Sequence, residues 1–99
     1  MFLTLDCKEF EKDIIWRSES RGGAQYVFRF DNGYGALVVT TKDENLRRNR
    51  INVWEFSVIK FKRGRTAYMR DNSTVVAGST IKYCDTSDII AFLREVEGL

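Results

Sequence analysis

The sequence predicts an α+β domain: an antiparallel β meander of four to five strands, with an amphipathic C-terminal helix packed on one face. Three observations predict it. Residues 25–30 (QYVFRF) alternate in polarity and run into Asn32-Gly33, the favoured dipeptide of a tight hairpin. Residues 52–62 (NVWEFSVIKFK) form a second long run rich in aromatic and β-branched side chains. Residues 87–96 (SDIIAFLREV) place Ile89, Phe92, Leu93 and Val96 at helical spacing behind a capping residue, with Gly98 as a stop.

The elements follow in chain order. Residues 6–12 (DCKEFEK) suit a short helix with Asp6 as N-cap and Phe10 turned inward. Residues 14–20 (IIWRSES) then suit a strand, because Ile14 and Ile15 are β-branched and polar residues follow. One continuous helix over residues 7–18 competes with this division. A type I′ loop at Asn32-Gly33 would set Asp31 opposite Tyr34, Phe30 opposite Gly35, Phe28 opposite Leu37 and Tyr26 opposite Val39. One face would then hold Tyr26, Phe28, Phe30, Leu37 and Val39. The other would hold Val27, Arg29, Asp31, Tyr34, Ala36 and Val38; Gly35, on the first face, would be covered by the Phe30 ring. Residues 41–50 read as a polar loop. In the next run the apolar phase slips between Val58 and Ile59, which implies a bulge or a strand covered on both faces. Arg63-Gly64 turns the chain into a partner strand at residues 66–69. Beyond a polar turn at 71–73, residues 74–77 and 81–84 are short apolar pieces of open type.

Ninety-nine residues, 43% of them hydrophobic, make one domain spanning 1–99. There is no proline, and no run approaches the roughly 18 apolar residues of a membrane span. The start, MFLTLDCKEF, has neither the basic nor the apolar region of a signal peptide, so a cytoplasmic setting is expected. Cys7 and Cys84 are expected to be buried thiols. The chain has no histidine, which removes imidazole-based triads and proton shuttles and nearly every zinc site. It also lacks CxxC, Walker and GxGxxG motifs, so no cofactor is expected. Carboxylates alone, Asp85 with Asp88 or Asp6 with Glu9 and Asp13, could support acid–base chemistry. Acids at helix starts are more simply caps and solvated faces, and the expectation is a protein that is not an enzyme.

Charge is unevenly spread. Residues 42–70 hold nine basic and three acidic side chains, hence +6, in a chain whose net charge is +2. Arg47, Arg48 and Arg50 fall in one loop, and Lys60, Lys62, Arg63 and Arg65 on one hairpin.

FDNGYGALVV at 30–39, WEFSVIKF at 54–61 and the terminal TSDIIAFLREV resemble small, mostly uncharacterised proteins of phages and prophages. Those carry a run similar to F-D-N-G-Y-G-A-S-V-V, a W/Y-E-L-A-V-L strand and a short acidic C-terminal helix. Leu37 stands where the pattern has Ser, and the basic insert 42–50 replaces a Tyr- and Gly-rich loop. The resemblance implies a phage-encoded accessory protein acting in the bacterial host cytoplasm, where such proteins bind and redirect a host factor or block a defence system.

Three functional readings follow. In the first, a protein-binding module presents Tyr34 at a rigid hairpin tip beside Arg29, with the basic region alongside, to a bacterial host or defence protein. Local cross-strand packing of Tyr34 is the competing account of that residue. In the second, Arg47, Arg48, Arg50, Lys60, Lys62, Arg63 and Arg65 track a nucleic-acid backbone while Trp54, Phe61 or Tyr68 stack on bases. In the third, an open sheet edge pairs with a second copy as a symmetric homodimer.

Overall fold

Where the chain's apolar residues alternate, they build one antiparallel sheet. The computed structural model describes residues 4–20, 23–41, 52–62, 67–71 and 80–99. A 3₁₀ helix over Lys8–Asp13 leads into strands β1 (Ile14–Ser20), β2 (Gly23–Arg29), β3 (Tyr34–Thr40), β4 (Trp54–Phe61), β5 (Tyr68–Arg70) and β6 (Ile81–Cys84). Helix α1 (Thr86–Glu97) ends the chain. Strand order is β1-β2-β3-β4-β5, and β6 also pairs with β4. Strand β5 pairs with residues 59–61 of β4 and β6 with its first residues, so the two share one edge. The fold is therefore α+β, a meander with its C-terminal helix on one face. All of the expected loop at 41–50 except Thr41, the turn at 63–64, most of the turn at 71–73 and the apolar piece 74–77 lie outside the described residues.

Helix then strand is what residues 8–20 form, and the continuous helix is excluded. The N-terminal turn differs in detail from expectation: it is 3₁₀, its N-cap position is Cys7, and no side chain caps it. Asp6 stays exposed instead. Phe10 is buried and meets Phe30 edge-on, with ring centroids 5.9 Å apart. Burial of Phe10 fixes this single turn more than capping does.

The central hairpin corrects the expected register. Its loop has three residues, 31–33: the Phe30 N–H donates to the Tyr34 carbonyl (2.8 Å) and the Gly33 N–H to the Phe30 carbonyl (3.2 Å). Only Gly33 takes a positive φ, +86°, whereas a type I′ loop needs two such residues. The pairs are Phe28 with Ala36, Tyr26 with Val38 and Val27 with Leu37, one residue away from the type I′ prediction. A slip of one residue exchanges the faces of an entire strand. Tyr34, Ala36 and Val38 therefore join Tyr26, Phe28 and Phe30, while Leu37 and Val39 turn to the other side. Gly35 lies opposite Arg29 rather than under Phe30. A Cβ there would collide with the Phe28 carbonyl oxygen and come within 2.8 Å of the Phe61 ring, so close approach explains the glycine.

A glycine at positive φ in the third loop position suits a three-residue hairpin, and the longer loop also makes a tertiary contact. The Asn32 side-chain amide donates to the carbonyls of Val96 (2.8 Å), Glu97 (3.2 Å) and Leu99 (3.2 Å), at the end of α1. Its Oδ1 accepts from the Tyr34 N–H (2.9 Å). The last carbonyls of a helix have no N–H four residues on to receive; Val96 accepts the Leu99 N–H (3.1 Å), and a side chain 64 residues away adds a further donor.

The main core lies between the sheet and α1. Ile89, Leu93 and Val96 are fully buried against β3, β4 and β6, contributing roughly 1.5–3 kcal/mol each. Phe92 adds a ring contact with Phe56 at 5.2 Å. Tyr26 sits at the centre with no exposure, its hydroxyl accepting from the Leu5 N–H (3.0 Å) and its ring 5.8 Å from Trp54. Burial pushes its pKa up to about 12. Strand β4 is regular against β3 along its whole paired length, so the phase slip at Val58 reflects coverage of both faces rather than a bulge. Ile59 and Phe61 form a smaller buried cluster with Val27 on the second face. The irregularity falls in β6, where Tyr83 takes φ +62° between the pairs Trp54–Cys84 and Phe56–Ile81.

Candidate binding surfaces

Of the five carboxylates considered for acid–base chemistry, Asp85, Asp88 and Glu9 have structural partners. Asp85 and Asp88 form a reciprocal capping box at the start of α1: Asp85 Oδ1 accepts from the Asp88 N–H (2.8 Å), and Asp88 Oδ2 from the Asp85 N–H (3.1 Å). Glu9 receives Arg94 through two nitrogens at 2.6 and 3.0 Å. Asp13 differs, since its Oδ2 is buried without a hydrogen-bond partner. Burial raises its pKa, Lys12 opposes the shift, and Glu97 and Asp31 add to it. Asp13 lines a hollow of about 550 Å³ with Lys12, Asp31, Asn32 and Glu97. Among the described residues no three His, Cys, Asp or Glu side chains could hold a metal ion together. Both thiols are buried, as the sequence suggests, and burial pushes each pKa from 9.0 up to about 11.

The hairpin tip does not present its residues as expected. Asn32 is engaged with the end of α1, and Tyr34 is half-buried against the main core, on the same face as the aromatic cluster. Lys60, directly across from Tyr34, is exposed and holds its Nζ 5.3 Å from the Tyr34 ring centre. Arg29 lies on the opposite face, where its guanidinium stacks 5.0 Å over the Phe61 ring. Tyr34 and Arg29 are thus separated by the sheet. Lys62 is exposed just past β4, its N–H donating to the Ala67 carbonyl (3.0 Å). Arg47, Arg48, Arg50, Arg63 and Arg65 lie outside the described residues. Of the three aromatics offered as stacking platforms, Trp54 and Phe61 are buried and Tyr68 alone is open.

A different surface emerges on the face away from α1. The sheet curls until Tyr68 on β5 and Trp16 on β1, at opposite ends of the strand order, line one groove of about 570 Å³. Ile15, Gln25 and Val27 complete it. Trp16 is 57% exposed, Ile15 46% and Tyr68 37%, although each is large and hydrophobic. Beneath them Val27, Ile59 and Phe61 make a floor, with Leu37 packed against it. Sequence reasoning passed over Trp16, yet it carried a signal: a tryptophan set in a strand whose following residues, Arg17 to Ser20, are all polar has little to pack against.

No family model, curated protein or solved structure matches the chain.

Proposed function

We propose that this chain is a non-enzymatic, phage-type accessory protein that binds and modulates or inhibits a bacterial host or defence protein in the host cytoplasm. The concave face of the sheet is its contact surface. The observation that carries the reading is the trio Ile15, Trp16 and Tyr68, exposed around a groove with an apolar floor. Tryptophan and tyrosine dominate interface hot spots because they bring large rigid area at low entropic cost. Groove walls of this kind fit an apolar anchor on a protein partner, and Arg29 beside them favours an acidic neighbour to that anchor. The nucleic-acid alternative keeps the basic region but only one of its three aromatic platforms.

The test is binding to a partner captured from host lysate, then purified and titrated by calorimetry. Trp16→Ala is expected to weaken binding about thirtyfold or more, a loss of ~2 kcal/mol, with native stability kept within about 0.5 kcal/mol. Unchanged affinity in that variant, or capture abolished by nuclease treatment, would overturn the reading.

A further inference from the structure

The two edges of the sheet are built differently. On one side the edge is broken into β5 and β6, three and four residues long, and β6 is bulged at Tyr83. Short strands and bulges are standard protection against edge-to-edge pairing. On the other side β1 runs seven residues, ends the strand order, and has five residues exposed. It contains neither lysine nor proline, and its one irregularity, at Ile15, leaves residues 16–20 in regular register with β2. Alternate residues of such a strand direct their N–H and C=O groups away from the sheet.

We infer that β1 is a self-recognition edge: two copies pair β1 to β1, antiparallel, about a two-fold axis at Ser18. The choice of a second copy rests on charge. Arg17 pairs with Tyr26 and Glu19 with Ala24 in the β1–β2 ladder, so both point to the helix-covered face, two residues apart. A two-fold that joins like faces must pass through a residue, because directly opposed side chains share a face. Passing through Arg17 or Glu19, it would oppose like charges. Passing through Ser18, it sets Arg17 opposite Glu19 of the second copy, twice by symmetry. Arg17 already reaches Glu11 at 2.7 Å and Glu19 at 3.3 Å within its own chain, and a guanidinium has donors enough for a further carboxylate. Strand β5 aligns with the start of β1, through Ile59, Gly35, Arg29 and the neighbouring Phe28–Ile14 pair, so it stands at the far end from Ser18–Ser20. The pairing lies in the plane of the sheet and leaves both concave grooves open side by side. It does not depend on the function proposed above.

Sedimentation equilibrium over a concentration series tests the inference, with circular dichroism confirming the fold of each variant. The wild-type chain is expected to form dimers. R17E and E19R alone are each expected to weaken association at least tenfold, because each opposes like charges across the axis. The double variant R17E/E19R, or an equimolar mixture of the two single variants, is expected to restore it. Directly opposed strand residues stand about 4.5–5.5 Å apart at Cα, within disulfide reach. S18C is therefore expected to cross-link as a dimer on mild oxidation, while the buried Cys7 and Cys84 do not. A wild-type chain that stays monomeric at every concentration would overturn the inference. So would single variants that associate like wild type, or a folded double variant that remains dissociated.

Discussion

The helix-covered face and the concave face of the sheet are made from alternate residues of the same strands, yet they differ in how they are closed. On the first, Tyr26, Phe28, Val38 and Phe56 are fully buried: the N-terminal segment with its 3₁₀ turn lies against β2, and α1 lies against β3 and β4. On the second, among the described residues Ile59 is fully buried and Val27, Phe61 and Ser57 nearly so, and the outer strands carry large side chains that nothing covers among the described residues. The difference teaches that burial here follows the helix rather than hydrophobicity: Trp54 and Trp16 are the same residue type, 3% and 57% exposed. A sheet needs one covered face to be stable, and a second apolar face is then available for contacts made with other molecules.

Truncations should break this comparison in a graded way. Leu93→Ala, which opens a cavity under the helix, is expected to cost roughly 3–4 kcal/mol in urea denaturation. Ile59→Ala on the concave side is expected to cost less, roughly 2–3 kcal/mol, since its thin surrounding shell can settle into the space left. Equal losses would mean that the second cluster is as closed as the first. Asn32→Ala should cost about 1 kcal/mol by stripping donors from the end of α1. Asn32→Asp should cost at least as much, because it sets a negative charge against the negative end of the helix dipole. The smallest effect concerns the thiols, both on the helix-covered side. Their folded pKa values are raised, so their contribution is fully present below pH 9 and lost as pH rises through about 11. From pH 6 to 8 neither thiol should alter the urea midpoint, and Ellman's reagent should label Cys7 and Cys84 only once the chain is denatured.

Much of this fold was legible in residue periodicity. The helix read correctly because its cap and its stripe of Ile89, Phe92, Leu93 and Val96 are both local signals. Strands β1 to β4 read correctly because alternation and β-branching are local too. The hairpin register was not legible in the Asn-Gly pair alone, because Asp31-Asn32-Gly33 suits a three-residue loop as well as Asn-Gly suits a two-residue one, and nothing near Asn32 announces the partner 64 residues away that the longer loop meets. That one-residue error moved Tyr34 to the wrong face and with it the expected contact surface. The groove was likewise hidden, since it depends on sheet curl bringing β1 and β5 together. Trp16 was visible as a residue, but its exposure was not.

The Asn32 clamp has a kinetic meaning as well. The last turn of a helix ordinarily frays on its own, and its amides exchange with solvent through small local openings. Here the carbonyls of Val96, Glu97 and Leu99 are held by a hairpin loop, so releasing them means disturbing two elements at once. Hydrogen exchange near the end of α1 should accordingly follow opening of the β2–β3 hairpin. The helix end then reports on a contact of long sequence separation, the kind that closes late when such a chain folds.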